Sequence, residues 1–298
     1  MKSYLVTASC VLVAYLAILG PFTQAMQEKV TAVKLGISPP PKVLQVLFPD
    51  YQEFLAASSL GRIIQYYGAL VDPAADPGKV LRVADYPAMS RAVHAALRLD
   101  PYNMDGYYFG QSILVWDAKQ YQLATELLEY GMQYRTWDWQ LPFFAAFNQA
   151  YFLKDRAAAA RLYMRAGELS DATLFKSLAG RYLQEAGETQ MAIDYLQTLE
   201  KSATTPAVKQ TLQVRIDTFK AILMIEAARD RYSAKVGQPP MNVDILVETG
   251  YLASKPVDPY GGQFYLDEEK QVRTTSKFSF AVPRRSADGT SPAPSSDK

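Results

Sequence analysis

The sequence predicts a mainly α-helical protein built of stacked helix pairs and followed by a small helix and β-hairpin module. Three observations carry this. From about Asp105 to Pro206 the chain repeats one skeleton: an apolar helical run, a short polar break, then a second helix with alanine at a fixed place. The fixed alanines are Ala124, Ala159 and Ala192, spaced 35 and 33 residues apart. Residues 207–236 then form one long amphipathic run, with Leu212, Ile216, Phe219, Leu223 and Ala227 at spacings of three and four, a single stripe on a helix. Beyond Gly237, which stops that helix, prolines, a short helix and two strand-like runs follow.

Composition narrows the function. The 298 residues allow one large or two modest domains, and about half of them are apolar, enough for a sizeable core. A net charge of +1 gives no electrostatic footprint for nucleic acid. The single cysteine, Cys10, excludes an intramolecular disulfide and a cysteine-based zinc cage.

Residues 1–26 read as a membrane-targeting segment. Lys2 supplies a short positive end, and the run from Tyr4 to Leu19 carries no charge; the uncharged stretch extends to Met26, enough to cross a bilayer. An uncleaved signal anchor is the preferred reading. A cleaved signal peptide, ending at Thr23-Gln24-Ala25 after the helix-breaking pair Gly20-Pro21, is the alternative. Residues 27–42 form a spacer ending in Ser38-Pro39-Pro40-Pro41, where consecutive prolines favour an extended, stiff chain. A proline-motif ligand for a partner domain is its other reading.

Asp50 to Leu70 predicts a helix, and Asp72 to Gly78 ends it with turn chemistry. Tyr86 to Leu99 predicts a second helix, closed by Leu99-Asp100-Pro101, with Met89 at the anchor position 35 residues before Ala124. These two helices make a first pair, with an insertion of about 15 residues between them. Within 43–206 a small residue recurs in the first helix of the pairs at Gly61, Ser112 and Gly180, where Phe147 or the neighbouring Ala146 stands in the third. In the second helix it recurs at Ala96, Gly131 and Ala166, then gives way to Leu199.

A two-helix period near 34 with these small positions resembles the tetratricopeptide (TPR) family, over about 150 residues of the chain. The resemblance implies a TPR-like right-handed helical-pair solenoid with a concave groove, capped at its end by the 207–236 helix. It also implies which first-helix positions line the groove. Those are Arg62 and Gln65 with Tyr66 beside them, then Phe109, Ile113 and Trp116, then Phe144, Asn148 and Tyr151, then Arg181 and Gln184. Such a groove is apolar in its middle and polar at both ends, suited to a protein or peptide partner anchored by apolar side chains. The crowded aromatics Trp116, Trp137, Trp139, Phe143, Phe144, Phe147, Tyr151 and Phe152 are expected mostly in the core.

Residues 237–282 predict a short helix at Val243 to Thr249 and strands at Gln263 to Leu266 and Gln271 to Thr275 around a turn at Asp267 to Lys270. Gly237-Gln238-Pro239, Leu246 with Gly250-Tyr251-Leu252, and Asp258-Pro259-Tyr260-Gly261-Gly262 before Tyr265 resemble the C-terminal region of type II secretion pseudopilins. The processing glycine and glutamate of the pseudopilin N-terminus are missing, so filament assembly does not carry over. The tail, 283–298, is rich in Ser, Pro, Ala and charge and is expected to be disordered.

Enzyme chemistry is not expected. His94, the only histidine, sits among Ala92, Val93 and Ala95; a Ser-His-Asp triad drawn around it, as an envelope hydrolase would need, lacks a nucleophile elbow. No phosphate loop or helical metal motif occurs, and no cofactor is expected. Asp258, Asp267, Glu268 and Glu269 suit calcium by type but follow no ligand spacing. The expected protein is a bacterial-type scaffold in the inner (cytoplasmic) membrane, single-pass with its body in the periplasm, or soluble there after signal cleavage. It would hold a protein or peptide partner in a cell-envelope assembly for secretion, pili or a surface polymer. The alternative is a permanent structural subunit with its groove filled internally.

Overall fold

A computed structural model describes residues 2–28, 35–37, 39–70, 83–170 and 172–276, with the side chains of 2–7, 9 and 27 outside that set. The expected insertion and the expected tail therefore lie wholly or mostly outside the described residues. Among the described residues the chain is mostly helical with one two-stranded sheet, and it divides into two compact units, Met1–Leu141 and Pro142–Lys298.

The first unit begins with α1, Lys2–Glu28, about 40 Å long at 1.5 Å per residue. It runs unbroken through Gly20 and Pro21, where the sequence predicts a helix break. Proline removes its own donor and crowds the carbonyl four residues before it; Thr23 adds a bond from its hydroxyl to the Leu19 carbonyl, 2.7 Å away. Among the described residues, no helix is long and apolar enough to cross a membrane; the opening side chains of the Tyr4 run lie outside them. The described large apolar side chains of α1, from Val11 to Phe22, are all exposed.

The end of the spacer is not a free rod. Leu35 is buried, and Pro41 opens a short helix, α2 (Pro41–Leu47), as proline does at a first helical position. Gln45 donates from its side chain to the Arg98 carbonyl, 3.0 Å away, seating α2 on α4 (Tyr86–Leu99). A 3₁₀ turn over Pro49–Tyr51 leads into α3, Gln52–Gly68, which pairs with α4. Asp85 caps α4 by accepting from the Ala88 amide at 3.0 Å. α5 (Met104–Ser112), capped by Asn103, continues into a π-helical turn, Ile113–Asp117, and pairs with α6, Tyr121–Tyr134. Gly131 is needed here for close approach. A Cβ on it would stand 2.7 Å from the ring of Tyr107, itself fully buried with its hydroxyl donating to the Pro101 carbonyl.

The second unit takes up α7 (Gln140–Phe147) from Pro142 on, and α7 runs into another π-helical turn, Asn148–Leu153. α8 (Arg156–Leu169), α9 (Thr173–Glu185), α10 (Thr189–Ser202) and α11 (Pro206–Val236) follow, each packed on the one before. Gly237, at φ 81°, ends α11 with its amide on the Ser233 carbonyl. α12 (Val243–Glu248) and the antiparallel strands β1 (Phe264–Leu266) and β2 (Val272–Thr274) complete the unit, with Tyr265 opposite Arg273.

The repeat is written in the backbone as well as the side chains. The second helices α4, α6, α8 and α10 are each 14 residues long and start at 86, 121, 156 and 189. Their fourth residues, Met89, Ala124, Ala159 and Ala192, are buried. Left-handed residues stand five positions before each alanine: Lys119 (φ 55°), Lys154 (φ 62°) and Gly187 (φ 85°). The first-helix small positions are less uniform. A Cβ on Gly180 would meet Leu196 at 2.8 Å, but one on Gly61 would meet nothing within 4 Å, so Gly61 does not serve a close helix crossing. In α5 the close approaches fall at Gly106 and Gly110 instead of the half-buried Ser112.

The 207–236 stripe is also rotated from the sequence reading. Ala227 is exposed, and the buried line continues through Ile222, Ile225 and Ala228. α11 packs on α10, which reaches as far as Glu226, and also on α12 and β2. Ile193, Leu196, Phe219, Ile225, Leu246, Phe264 and Val272 therefore join one core. The C-terminal module is part of this unit, not a separate body.

One acid sits in that core. Glu226 is buried and accepts from the Thr189 hydroxyl at 3.0 Å. Burial pushes its pKa up, against the Thr189 bond and Arg229, which pull it down. A raised folded pKa means that this group contributes stability at low pH and loses it as pH rises through that value. Glu226→Gln is therefore expected to raise the unit's unfolding midpoint by a few degrees at neutral pH. The gain should vanish below the ordinary carboxylate range, which thermal melts across pH will check.

Candidate functional site

The expected groove residues fall into three groups in the structure. Arg62, Gln65, Trp116 and Tyr151 are exposed; Phe109, Phe144 and Arg181 are half-buried. Tyr66, Ile113, Asn148 and Gln184 are buried and do not form a binding surface. Tyr66 serves the core, its hydroxyl accepting the Asp85 amide at 3.0 Å. Ile113 and Asn148 open the two π-helical turns, whose wider winding departs from the regular helix on which the groove positions were counted. Nδ2 of Asn148 finds no acceptor among the described residues.

Within the first unit, Tyr67 ties α3 to the π-turn after α5. Its hydroxyl donates to Asp117 Oδ1 at 3.0 Å, and its ring meets Phe109 edge-on at 6.2 Å. Burial, then the Asp117 bond, pushes this hydroxyl's pKa up to about 12. Trp116 projects from the same turn, 59% exposed. A second aromatic face lies at the end of α6, where Trp137 stacks on Tyr102 with centroids 6.2 Å apart, Tyr134 meets Tyr102 edge-on, and Arg135 covers Trp137.

Within the second unit, Tyr151 stands 35 residues after Trp116, in the matching π-turn, and is also 59% exposed. Phe147 stacks on it with centroids 5.5 Å apart, and Lys154, the left-handed residue of that repeat, holds its ammonium 5.2 Å from the ring. Arg181 pairs with Glu185 at 2.6 Å, and Glu185 also takes Arg156. None of the eight aromatics expected mostly in the core is fully buried. In α7 fully buried places go to Ala145 and Ala146.

His94 is half-buried, its Nδ1 2.8 Å from the Ser90 carbonyl, so that nitrogen carries the proton and is engaged within α4. Asp258 is buried and accepts from the Tyr260 amide and the Ser276 and Thr274 hydroxyls, while Asp267 takes Arg273 at 2.9 Å. Both carboxylates tie the hairpin together, while Glu268 and Glu269 are exposed. Among the described residues no group of three or more His, Cys, Asp or Glu side chains is placed to hold a metal ion. The chain matches no protein-family model and no curated protein.

Proposed function

We propose that the protein is a membrane-tethered periplasmic scaffold, a TPR-like solenoid that holds a protein or peptide partner in a cell-envelope assembly. One observation carries the binding role: Trp116 and Tyr151 hold the same place in successive repeats, and each keeps a large ring in solvent. Exposed aromatic anchors of this kind supply contact area at low entropic cost. The recurrence of 14-residue second helices with left-handed entry residues supports superhelical stacking of the pairs. The tether is supported by α1, whose described apolar side chains face outward all round, a pattern suited to lipid.

A second reading has its own support. The burial of Tyr66, Ile113, Asn148 and Gln184 fills part of the expected lining from within, as a permanent structural subunit with a closed groove would. Purification from membranes separates the two. A partner that is released as salt rises and is lost with Trp116→Ala fits the scaffold. A stoichiometric partner that withstands high salt and is indifferent to Trp116→Ala fits the subunit. A body found in the cytosol would overturn both.

A further inference from the structure

Around the segment that follows α1 lie two features apart from the exposed rings of Trp116 and Tyr151. The first is a pocket of about 390 Å³ against α4, lined by Leu35, Pro39, Arg62, Ala88, Arg91 and Ala92 among others. Its lining contains two guanidiniums and no carboxylate. Among the described residues neither arginine has an ion-pair partner; Arg62 donates only to the neighbouring Ser59 hydroxyl, at 3.3 Å. The second is an exposed apolar run beside it. Val43, Val46 and Leu47 share the outer face of α2, and Ile37, Phe48, Tyr51 and Phe54 extend it, all exposed.

Both features lie close to the end of α1. Leu35 is seven residues after Glu28, so covalent geometry keeps it within about 25 Å of that helix end. Between Glu28 and Asp50 the charged residues are Lys29, Lys34 and Lys42, with no acid among them. Apolar side chains flanked by cations, next to a helix suited to lipid, match the interfacial layer of a membrane with anionic headgroups.

We propose that this face docks flat on the bilayer: Ile37, Val46, Leu47, Phe48, Tyr51 and Phe54 enter the interface, and the Arg62–Arg91 pocket takes the phosphate of an anionic phospholipid. The proposal rests on α1 as a membrane tether. It adds that the first unit is held against the membrane surface, where a tether alone would leave it swinging.

The test uses the full chain with Cys10→Ser and Val46→Cys, labelled at position 46 with a polarity-sensitive fluorophore. The protein is reconstituted in phosphatidylcholine vesicles, with or without an equal amount of phosphatidylglycerol. On the anionic vesicles the label should shift to the blue and be shielded from iodide, and on the neutral ones it should stay largely in water. Arg62→Glu with Arg91→Glu should weaken docking on anionic vesicles by about tenfold or more, while the protein still floats with them through α1. A floating protein whose label stays water-exposed on both vesicles overturns the docking and leaves the tether standing. So does shielding that ignores the charge reversal. If the protein fails to float, the tether falls and the proposal with it. Glycerol phosphate binding in detergent, abolished by Arg62→Glu with no shielding on vesicles, would assign the pocket to a soluble phosphate and also overturn it.

Discussion

Replacing Ala159 by glutamate should unfold the second unit or cost it several kcal/mol. Ala159 has no exposed surface and stands at the fourth position of α8, where Asp155 has just capped the helix through the Ala158 amide. Its neighbour Ala160 is equally buried and belongs to the core that also holds Leu183 and Phe219. A carboxylate placed there has neither room nor partner, and an unpaired buried charge is among the costliest single changes. Ala124→Glu should do the same to the first unit, because Ala124 occupies the matching position of α6 with no exposed surface. Lys209→Ala, at an exposed site on α11, should stay within about 0.5 kcal/mol of the parent. Hydrogen exchange, read peptide by peptide within each unit, checks this. If both alanine variants keep the parent's protection, the repeat register is wrong.

Trp116→Ala and Tyr151→Ala should each weaken partner binding by about 2 kcal/mol, close to 30-fold. Stability should change far less, because both rings are 59% exposed and have little burial to lose. Tyr151 carries a further handle in Lys154, whose ammonium lies over the ring, so Tyr151→Phe should retain most of the affinity. Titration calorimetry against the co-purified partner, beside thermal melts of the free protein, separates binding from folding. Large losses of stability with binding intact would make these rings packing elements and leave the structural-subunit reading in place.

Much of the helical pattern was legible because its signals are local. Tyr86 to Leu99 matched α4 residue for residue, and the anchors Met89, Ala124, Ala159 and Ala192 all proved buried. A fixed alanine marks a helix crossing wherever the neighbouring helix arrives. Burial of the first-helix faces was harder to read. The π-turns at Ile113 and Asn148 change the winding just where groove positions were being counted, and nothing in ILVWD or NQAYFL announces the extra residue per turn. The aromatic residues misled for a related reason. Ring size suggests core, but in α7 Ala145 and Ala146 take fully buried places, while Phe143, Phe144 and Phe147 stand half-buried, Phe143 against Phe144 and Phe147 against Tyr151. Ala227 fails through helix geometry, since over 31 residues a stripe drifts, and α11 takes α12 and β2 as partners besides α10.

The shared core of α11 has a consequence for how the chain is made. α11 shares one core with Leu246, Phe264 and Val272, which are among the last described residues to be synthesised. While the chain grows, α10 can pack on α11, but the side of α11 that takes α12 and β2 presents bare apolar surface until Val272 has emerged. Domains that fold from their N-terminal end during synthesis stay exposed to wrong partners for as long as such a face is open. The second unit must therefore wait for nearly its entire length before it can close. A chain cut short anywhere between Gly237 and Val272 carries an uncovered helix face that marks it as incomplete.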